Sequence, residues 1–126
     1  MSGRKKTGFT LIELLVVLAI IALLLSVVGP RYFTSVERSR EAVLREDLNV
    51  LRDAIDKYFS DVGHYPNSLD DLVAGSYIRT VPIDPITQHL DTWILVAPRD
   101  THLGVVFDIK SGAQGKTHDG TPYGDL

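Results

Sequence analysis

Histidine and carboxylate side chains are the groups in this chain that could do acid–base or metal chemistry. The histidines are His64, His89, His102 and His118, and they lack the i,i+4 spacing and adjacent glutamate of a helical zinc site. The sequence contains no nucleophile elbow and no phosphate-binding loop, and its zero cysteines exclude thiolate metal sites and disulfides. We therefore predict that the chain is not an enzyme and that the histidines are surface or turn residues.

One carboxylate lies inside an apolar segment, where burying a charge costs free energy. Glu13 lies inside the apolar run LIELLVVLAIIALLLSVVG, which follows the basic residues Arg4, Lys5 and Lys6. At the centre of a membrane helix, Asp, Lys or Arg costs about 2.5–3.5 kcal/mol on insertion scales. Glu13 is therefore a candidate functional residue.

The element that carries Glu13 is long enough to cross a membrane. As an α-helix, the run from Phe9 to Gly29 measures roughly 31 Å, which matches a hydrocarbon core of about 30 Å. The basic residues before it are expected to stay in the cytoplasm, so that the chain after Pro30 crosses to the other side. A cleaved signal peptide is the competing interpretation, but the segment LLLSVVGPRYF offers no A-x-A-like cleavage site.

An amphipathic continuation of the helix is predicted over 30–60, because proline is tolerated as a kink in a membrane helix. Between Arg31 and Ser60 there is no further Gly or Pro. Apolar residues recur there at spacings of three and four. They are Phe33, Val36, Val43, Leu44, Leu48, Leu51, Ile55, Tyr58 and Phe59.

The remainder, 61–126, is predicted to be a small globular head. It is marginal as an independent core, so the amphipathic half of the helix must supply one wall. We expect a short helix capped by Asn67 or Ser68 and ended by Gly75. Two strands, TWILVAP and LGVVFDI, are joined by the turn PRDTH, and the tail KSGAQGKTHDGTPYGDL is expected to be loop. The fold class is therefore α+β, with a small antiparallel sheet packed on a long N-terminal helix.

The charge of the chain argues against one class of partner. The formal net charge is −3, so the protein does not match nucleic acid electrostatically.

The segment KKTGFTLIELLVVLAIIALLLSVVGP closely resembles the leader and N-terminal helix of type IV pilins and type II secretion pseudopilins. GHYP, YIRTVPIDP and FDIKSGAQGKTHDGTPY further resemble the major, G-type pseudopilin. The resemblance implies a pilin-like fold and a leader over 1–8. It also implies cleavage by prepilin peptidase between Gly8 and Phe9, N-methylation of Phe9, and a filament-core helix over 9–29. Pro30, directly after that helix, matches a family proline and is expected to take part in assembly.

The same resemblance gives Glu13 a role in assembly. Cleavage would create an α-amino group at Phe9, and the family implies that Glu13 of one subunit meets the Phe9 amine of its neighbour. The alternatives are a pair within one helix and a protonated Glu13. Opposite charges that meet recover much of the cost of burying them.

The implied function is that of a major pseudopilin polymerising into the periplasmic pseudopilus of a type II secretion system and driving protein export. Its expected partners are copies of itself, prepilin peptidase, minor pseudopilins, the inner-membrane assembly platform and, before assembly, membrane lipid. The subunit would span the bacterial inner membrane once, with a cytoplasmic N-terminus and a periplasmic C-terminal domain, and would become a periplasmic filament after assembly. Alternatives are a type IV or competence pilus subunit and a membrane-anchored periplasmic binding module.

No cofactor is predicted, but calcium has to be weighed. Major pseudopilins of the resembled family bind one Ca²⁺ in the loop after the last strands, through Asp side chains and carbonyls. Asp108, Asp119 and Asp125 are the candidates here, and hard cations take such oxygen ligands. Gln114 stands where the family pattern has an aspartate, and Asp119-Gly120 is equally typical of a bare turn.

Overall fold

The computed structural model describes residues 7–126 and contains one very long helix and a small sheet. The elements are α1 (Leu11–Val62), α2 (Leu69–Ala74), β1 (Trp93–Val96) and β2 (Asp108–Ser111), with 3₁₀ turns at Thr101–Leu103 and Tyr123–Asp125. β1 and β2 pair antiparallel, with Trp93 opposite Ser111 and Val96 opposite Asp108. The predicted α+β, pilin-like fold class is confirmed. Arg4, Lys5 and Lys6, and with them most of the predicted leader, lie outside the described residues.

The chain divides into two compact units, Met1–Val36 and Glu37–Leu126, hereafter unit 1 and unit 2. In unit 1 the described part of α1 is apolar, and its large side chains are exposed around the helix. By length and composition, α1 contains a segment able to cross a membrane, with a mean hydropathy of 3.1. Pro30 lies inside α1 and does not end it. It has no N–H to donate to the carbonyl of Ser26, so the helix continues there with one hydrogen bond fewer.

The core of unit 2 lies between α1 and the rest of that unit. Leu44, Leu48, Leu51 and Ile55 are fully or almost fully buried, and their spacing of three and four places them on one face of the helix. They belong to one cluster with Ala54, Leu72, Ile78, Trp93, Val106 and Ile109. Trp93 is further held by a hydrogen bond from its indole Nε1 to the carbonyl of Pro82, at 2.8 Å.

The short helix α2 is capped from inside its first turn. Ser68 occupies the N-cap position with extended backbone, but its side chain makes no capping bond. Instead, Asp71 accepts a hydrogen bond from the backbone N–H of Asn67, at 2.9 Å. Gly75 ends the helix as predicted, and its N–H donates to the carbonyl of Asp71 at 3.0 Å.

The second strand begins later than predicted. LGVVF was expected to pair with β1, but β2 starts only at Asp108. The N–H groups of Val105 and Val106 both donate to the carbonyl of Pro66, at 3.3 and 2.9 Å, and not to β1. Pairing with β1 begins at Phe107, whose N–H donates to the carbonyl of Val96 at 2.8 Å. At Gly104 φ is 124°, and a Cβ there would collide with the carbonyl of Tyr65.

The C-terminal segment 110–126 is also more ordered than the predicted loop. Its first residues, Lys110 and Ser111, belong to β2. Further on, Lys116 and Pro122 form an antiparallel bridge, and the 3₁₀ turn Tyr123–Asp125 follows. The backbone groups of this turn are bonded locally, since Asp125 N–H donates to the carbonyl of Pro122 at 2.9 Å.

Candidate processing and assembly site

The predicted cleavage point lies just outside the helix. Gly8 and Phe9 precede the first residue of α1, and the Phe9 side chain is 85% exposed. A Cβ built on Gly8 would meet no atom within 4 Å. The described fold therefore places no steric demand for glycine at this position, so any such demand must come from another molecule.

Thr10 and Glu13 form the start of α1. The backbone N–H of Glu13 donates to the hydroxyl of Thr10 at 3.2 Å, and Leu14 N–H donates to the Thr10 carbonyl, also at 3.2 Å. Thr10 is thus the N-cap, and Thr10-Leu11-Ile12-Glu13 has the pattern of a capping box. The carboxylate of Glu13 lies in the first turn, where negative charge favours the helix dipole, and the residue is exposed.

Pro30 is not part of this cluster. It lies about five turns further along α1 than Glu13. Its carbonyl accepts a hydrogen bond from the hydroxyl of Thr34 at 3.1 Å. The structure therefore brings Gly8, Phe9 and Glu13 together at the start of the helix and leaves Pro30 apart from them.

The calcium candidates are already bonded to protein groups. Asp108 Oδ1 accepts from Arg52 Nε at 2.8 Å, and also from the N–H of Ile109. Asp119 Oδ1 accepts from the hydroxyl of Thr117, and this bond lowers the pKa of the Asp119 carboxyl. Asp125 is exposed in the last 3₁₀ turn. Within residues 7–126, no group of three or more His, Asp or Glu side chains is placed to hold a metal ion.

The sequence analysis did not predict the contacts of three residues, Thr10, Glu41 and Arg52. Thr10 could have been found from the Thr-x-x-Glu spacing. Glu41 could have been suspected because it continues the buried stripe of Leu44, Leu48 and Leu51 in the same three-four spacing. Arg52 carries no such local signal, because its partners lie more than fifty residues away.

Comparison with known proteins agrees with this arrangement. The prokaryotic N-terminal methylation motif matches residues 3–29, a span that includes Gly8, Phe9 and Glu13. The type II secretion system core protein G of Aeromonas hydrophila is 33% identical over 101 residues, which are 68% of this chain and 71% of that relative. The chain belongs to the type II secretion system core protein G family. The resemblance to major pseudopilins is thereby confirmed.

Other members of the core protein G family align similarly. The Escherichia coli K12 protein is 33% identical over 97 residues, covering 64% of this chain and 67% of its own length. The Klebsiella michiganensis protein is 28% identical over 131 residues, covering 99% and 92%. No solved structure matches the chain. With the methylation motif and its apolar helix, this member of the core protein G family is a membrane-anchored pseudopilin, and its homologues are structural proteins, not enzymes.

Proposed function

We propose that this chain is the major subunit of the periplasmic pseudopilus of a type II secretion system, and that its polymerisation drives protein export. The observation that carries this proposal is the first half of α1, whose most apolar window is wholly exposed in the single chain. Each large apolar side chain gains about 1.5–3 kcal/mol when it is fully buried. A helix with apolar side chains on all its faces needs cover on every side, from lipid or from copies of itself.

Lipid provides that cover before assembly. The subunit spans the bacterial inner membrane with its N-terminus in the cytoplasm and residues 61–126 in the periplasm. Prepilin peptidase cuts between Gly8 and Phe9, and the new N-terminus is N-methylated. The chain is therefore the substrate of an enzyme and performs no catalysis itself.

Copies of the helix replace lipid in the filament. Head-to-tail contacts between two different surfaces of the same chain generate an open helical polymer when they do not close into a ring. Glu13 of one subunit meets the Phe9 amine of the next, and this pair sets the register of assembly. The inner-membrane assembly platform and minor pseudopilins are the further partners of this process.

The Thr10 cap supports this role for Glu13. The Thr10 hydroxyl accepts from the N–H of Glu13, so this N–H is capped without the Glu13 carboxylate. The carboxylate belongs to an exposed residue and can meet an amine of a neighbouring subunit. The cost of leaving either charge alone in an apolar core makes the pairing selective for correctly placed neighbours.

Intact mass of the protein from wild-type cells tests the proposal. We expect a chain that begins at Phe9 and carries one methyl group, and the uncut chain in cells that lack the peptidase. Gly8→Val should remain uncut in the membrane. Gly29→Val is the matched control, because a Cβ at Gly29 also meets no atom within 4 Å, and this variant should be cut normally. A Gly8→Val protein of mature mass would contradict the cut site, and an uncut wild-type protein would contradict the pseudopilin role.

A further inference from the structure

Glu41 is a nearly buried carboxylate on α1, 4% exposed, and it is bonded to the C-terminal tail, defined here as residues 112–126. Its Oε1 accepts from the backbone N–H of His118 at 2.7 Å, and its Oε2 lies 2.5 Å from His118 Nδ1. Because an ionised carboxylate only accepts hydrogen bonds, the ring nitrogen donates. Both oxygens of Glu41 are thus used to hold one residue of the tail.

Arg52 is the second residue of α1 that holds the tail. Its Nη2 donates to the carbonyl of Leu126 at 2.8 Å and to the carbonyl of Ile109 at 3.0 Å. Its Nε donates to Asp108 at 2.8 Å. The planar guanidinium thus joins the end of the tail to β2, through charge-assisted bonds that are about twice as strong as neutral ones. Glu41 and Arg52 are named the tail anchors below.

The turn over 117–121 lies within the tail and is closed by its own groups. Thr117 N–H donates to the carbonyl of Thr121 at 2.8 Å, and Gly120 N–H donates to the carbonyl of Thr117 at 3.0 Å. Asp119 accepts from the Thr117 hydroxyl, and its other oxygen lies 3.9 Å from Arg45 Nη2. The two carboxyl oxygens of Asp119 thus face the Thr117 hydroxyl and the Arg45 guanidinium.

A calcium ion takes six to eight oxygen ligands, and among the described residues no group of three or more acidic or histidine side chains is placed to hold one. Position 114 is a neutral glutamine, and Asp108 Oδ1 is paired with Arg52 Nε at 2.8 Å. Among the described residues, every buried side-chain nitrogen and oxygen already has a hydrogen-bond partner. We propose that Glu41 and Arg52 close the tail in place of a calcium ion, so that unit 2 folds and remains folded without a divalent cation.

This inference concerns the stability of unit 2 and is independent of the proposed filament role. Its first test is the thermal unfolding of the full-length chain in detergent micelles, with about 10 mM CaCl₂ or with about 1 mM EGTA. The calcium concentration exceeds the Kd of extracellular calcium modules, which is about 10⁻⁴–10⁻³ M. The single Trp93 is 7% exposed in the core and reports unfolding by fluorescence. We expect the same Tm in both buffers. A cation that binds only the folded state must raise Tm, so a higher Tm with calcium would overturn the proposal.

The second test asks whether the tail anchors hold the tail. Trypsin can cut after Lys116, which is exposed within the tail, when the surrounding turn opens. Glu41→Ala and Arg52→Ala should each speed this cut several-fold and lower Tm, and calcium should not restore either value. Asp53→Ala and Arg38→Ala are the matched controls, because both side chains are exposed on the same helix.

Two results of the second test would overturn the proposal. One is a rate of cutting after Lys116 in both anchor variants that equals the control rate. The other is recovery of an anchor variant by calcium. If an anchor variant fails to fold, the comparison of calcium with EGTA on the wild-type chain still decides whether a cation is needed.

Discussion

The hydroxyl of Thr10 accepts a hydrogen bond from the backbone N–H of Glu13, at 3.2 Å. This contact separates two tasks that the sequence alone would assign to Glu13. Thr10 satisfies an N–H at the start of the helix, and the carboxylate of Glu13 is left exposed. Each task can therefore be removed by its own substitution.

Thr10→Ala should loosen the first turn of α1 without removing the charge at Glu13. Loss of an N-cap hydroxyl costs about 0.5–2 kcal/mol. Amide exchange of Glu13, measured by mass spectrometry on the chain in detergent, should therefore become about 2- to 30-fold faster. Thr10→Ser keeps the acceptor and should exchange like the wild type. Equal exchange in Thr10→Ala and Thr10→Ser would show that the hydroxyl does not cap the helix.

Asp47→Asn should stabilise unit 2 at neutral pH. Burial raises the pKa of the Asp47 carboxyl above 3.8, and the neighbouring charges of Asp84 and Glu46 raise it further. A carboxyl with a raised pKa in the folded state is better protonated there than in the unfolded chain. The folded state therefore loses stability as pH rises from about 3.8 through the raised pKa, and the full cost is present at pH 7.

The expected gain for Asp47→Asn at pH 7 is about 0.2–1 kcal/mol, the scale of partly screened charge pairs. Urea unfolding followed by Trp93 fluorescence measures this gain, which should shrink as pH falls toward 3.8. Asp53→Asn removes the same charge from an exposed position of α1 and serves as control. A gain for Asp47→Asn that is as large at about pH 4 as at about pH 7 would exclude this titration as its cause.

Much of α1 could be predicted, because its signals are local. The spacing of Leu44, Leu48, Leu51 and Ile55 identifies the buried face, and those residues are buried in the structure. Glu13 could be selected because it is the charge inside an apolar run. Gly75 ends α2 as a glycine after a short helix is expected to do.

The tail and the second strand could not be predicted, because their partners are distant in sequence. The carbonyl of Pro66 accepts hydrogen bonds from the N–H groups of Val105 and Val106, and no local sequence pattern predicts these bonds. Arg52 lies on the polar side of the helical pattern, and its neighbours in sequence do not indicate its partners. Its bonds to Asp108, Ile109 and Leu126 exist only once the chain has folded.

A chain of residues 37–126 should be soluble and monomeric. It contains unit 2 with its whole buried core and lacks the apolar segment that α1 exposes before Val36. Sedimentation velocity should give one monomeric species, and Trp93 fluorescence should show a cooperative unfolding transition. The full-length chain in detergent serves as the reference for that transition. Long filaments formed by residues 37–126 alone would contradict the proposal that the apolar segment makes the filament core.

Glu13→Gln tests the pairing of Glu13 with a neighbouring subunit. The amide cannot offset the charge of a Phe9 amine, although Thr10 can still cap the helix, so each helix should form as before. Breaking a buried pair by removing one partner costs about 3–5 kcal/mol, a factor of hundreds or more in each assembly step. Cleavage after Gly8 precedes assembly and should be unaffected. We therefore expect mature, membrane-resident subunits that give no filaments on shearing and do not support secretion. Glu13→Asp keeps the charge on a shorter side chain and should retain part of the filament yield and part of the secretion. Mature mass and sheared-filament yield from the same cells decide the matter, since normal filaments from Glu13→Gln would leave the carboxylate without a role in assembly.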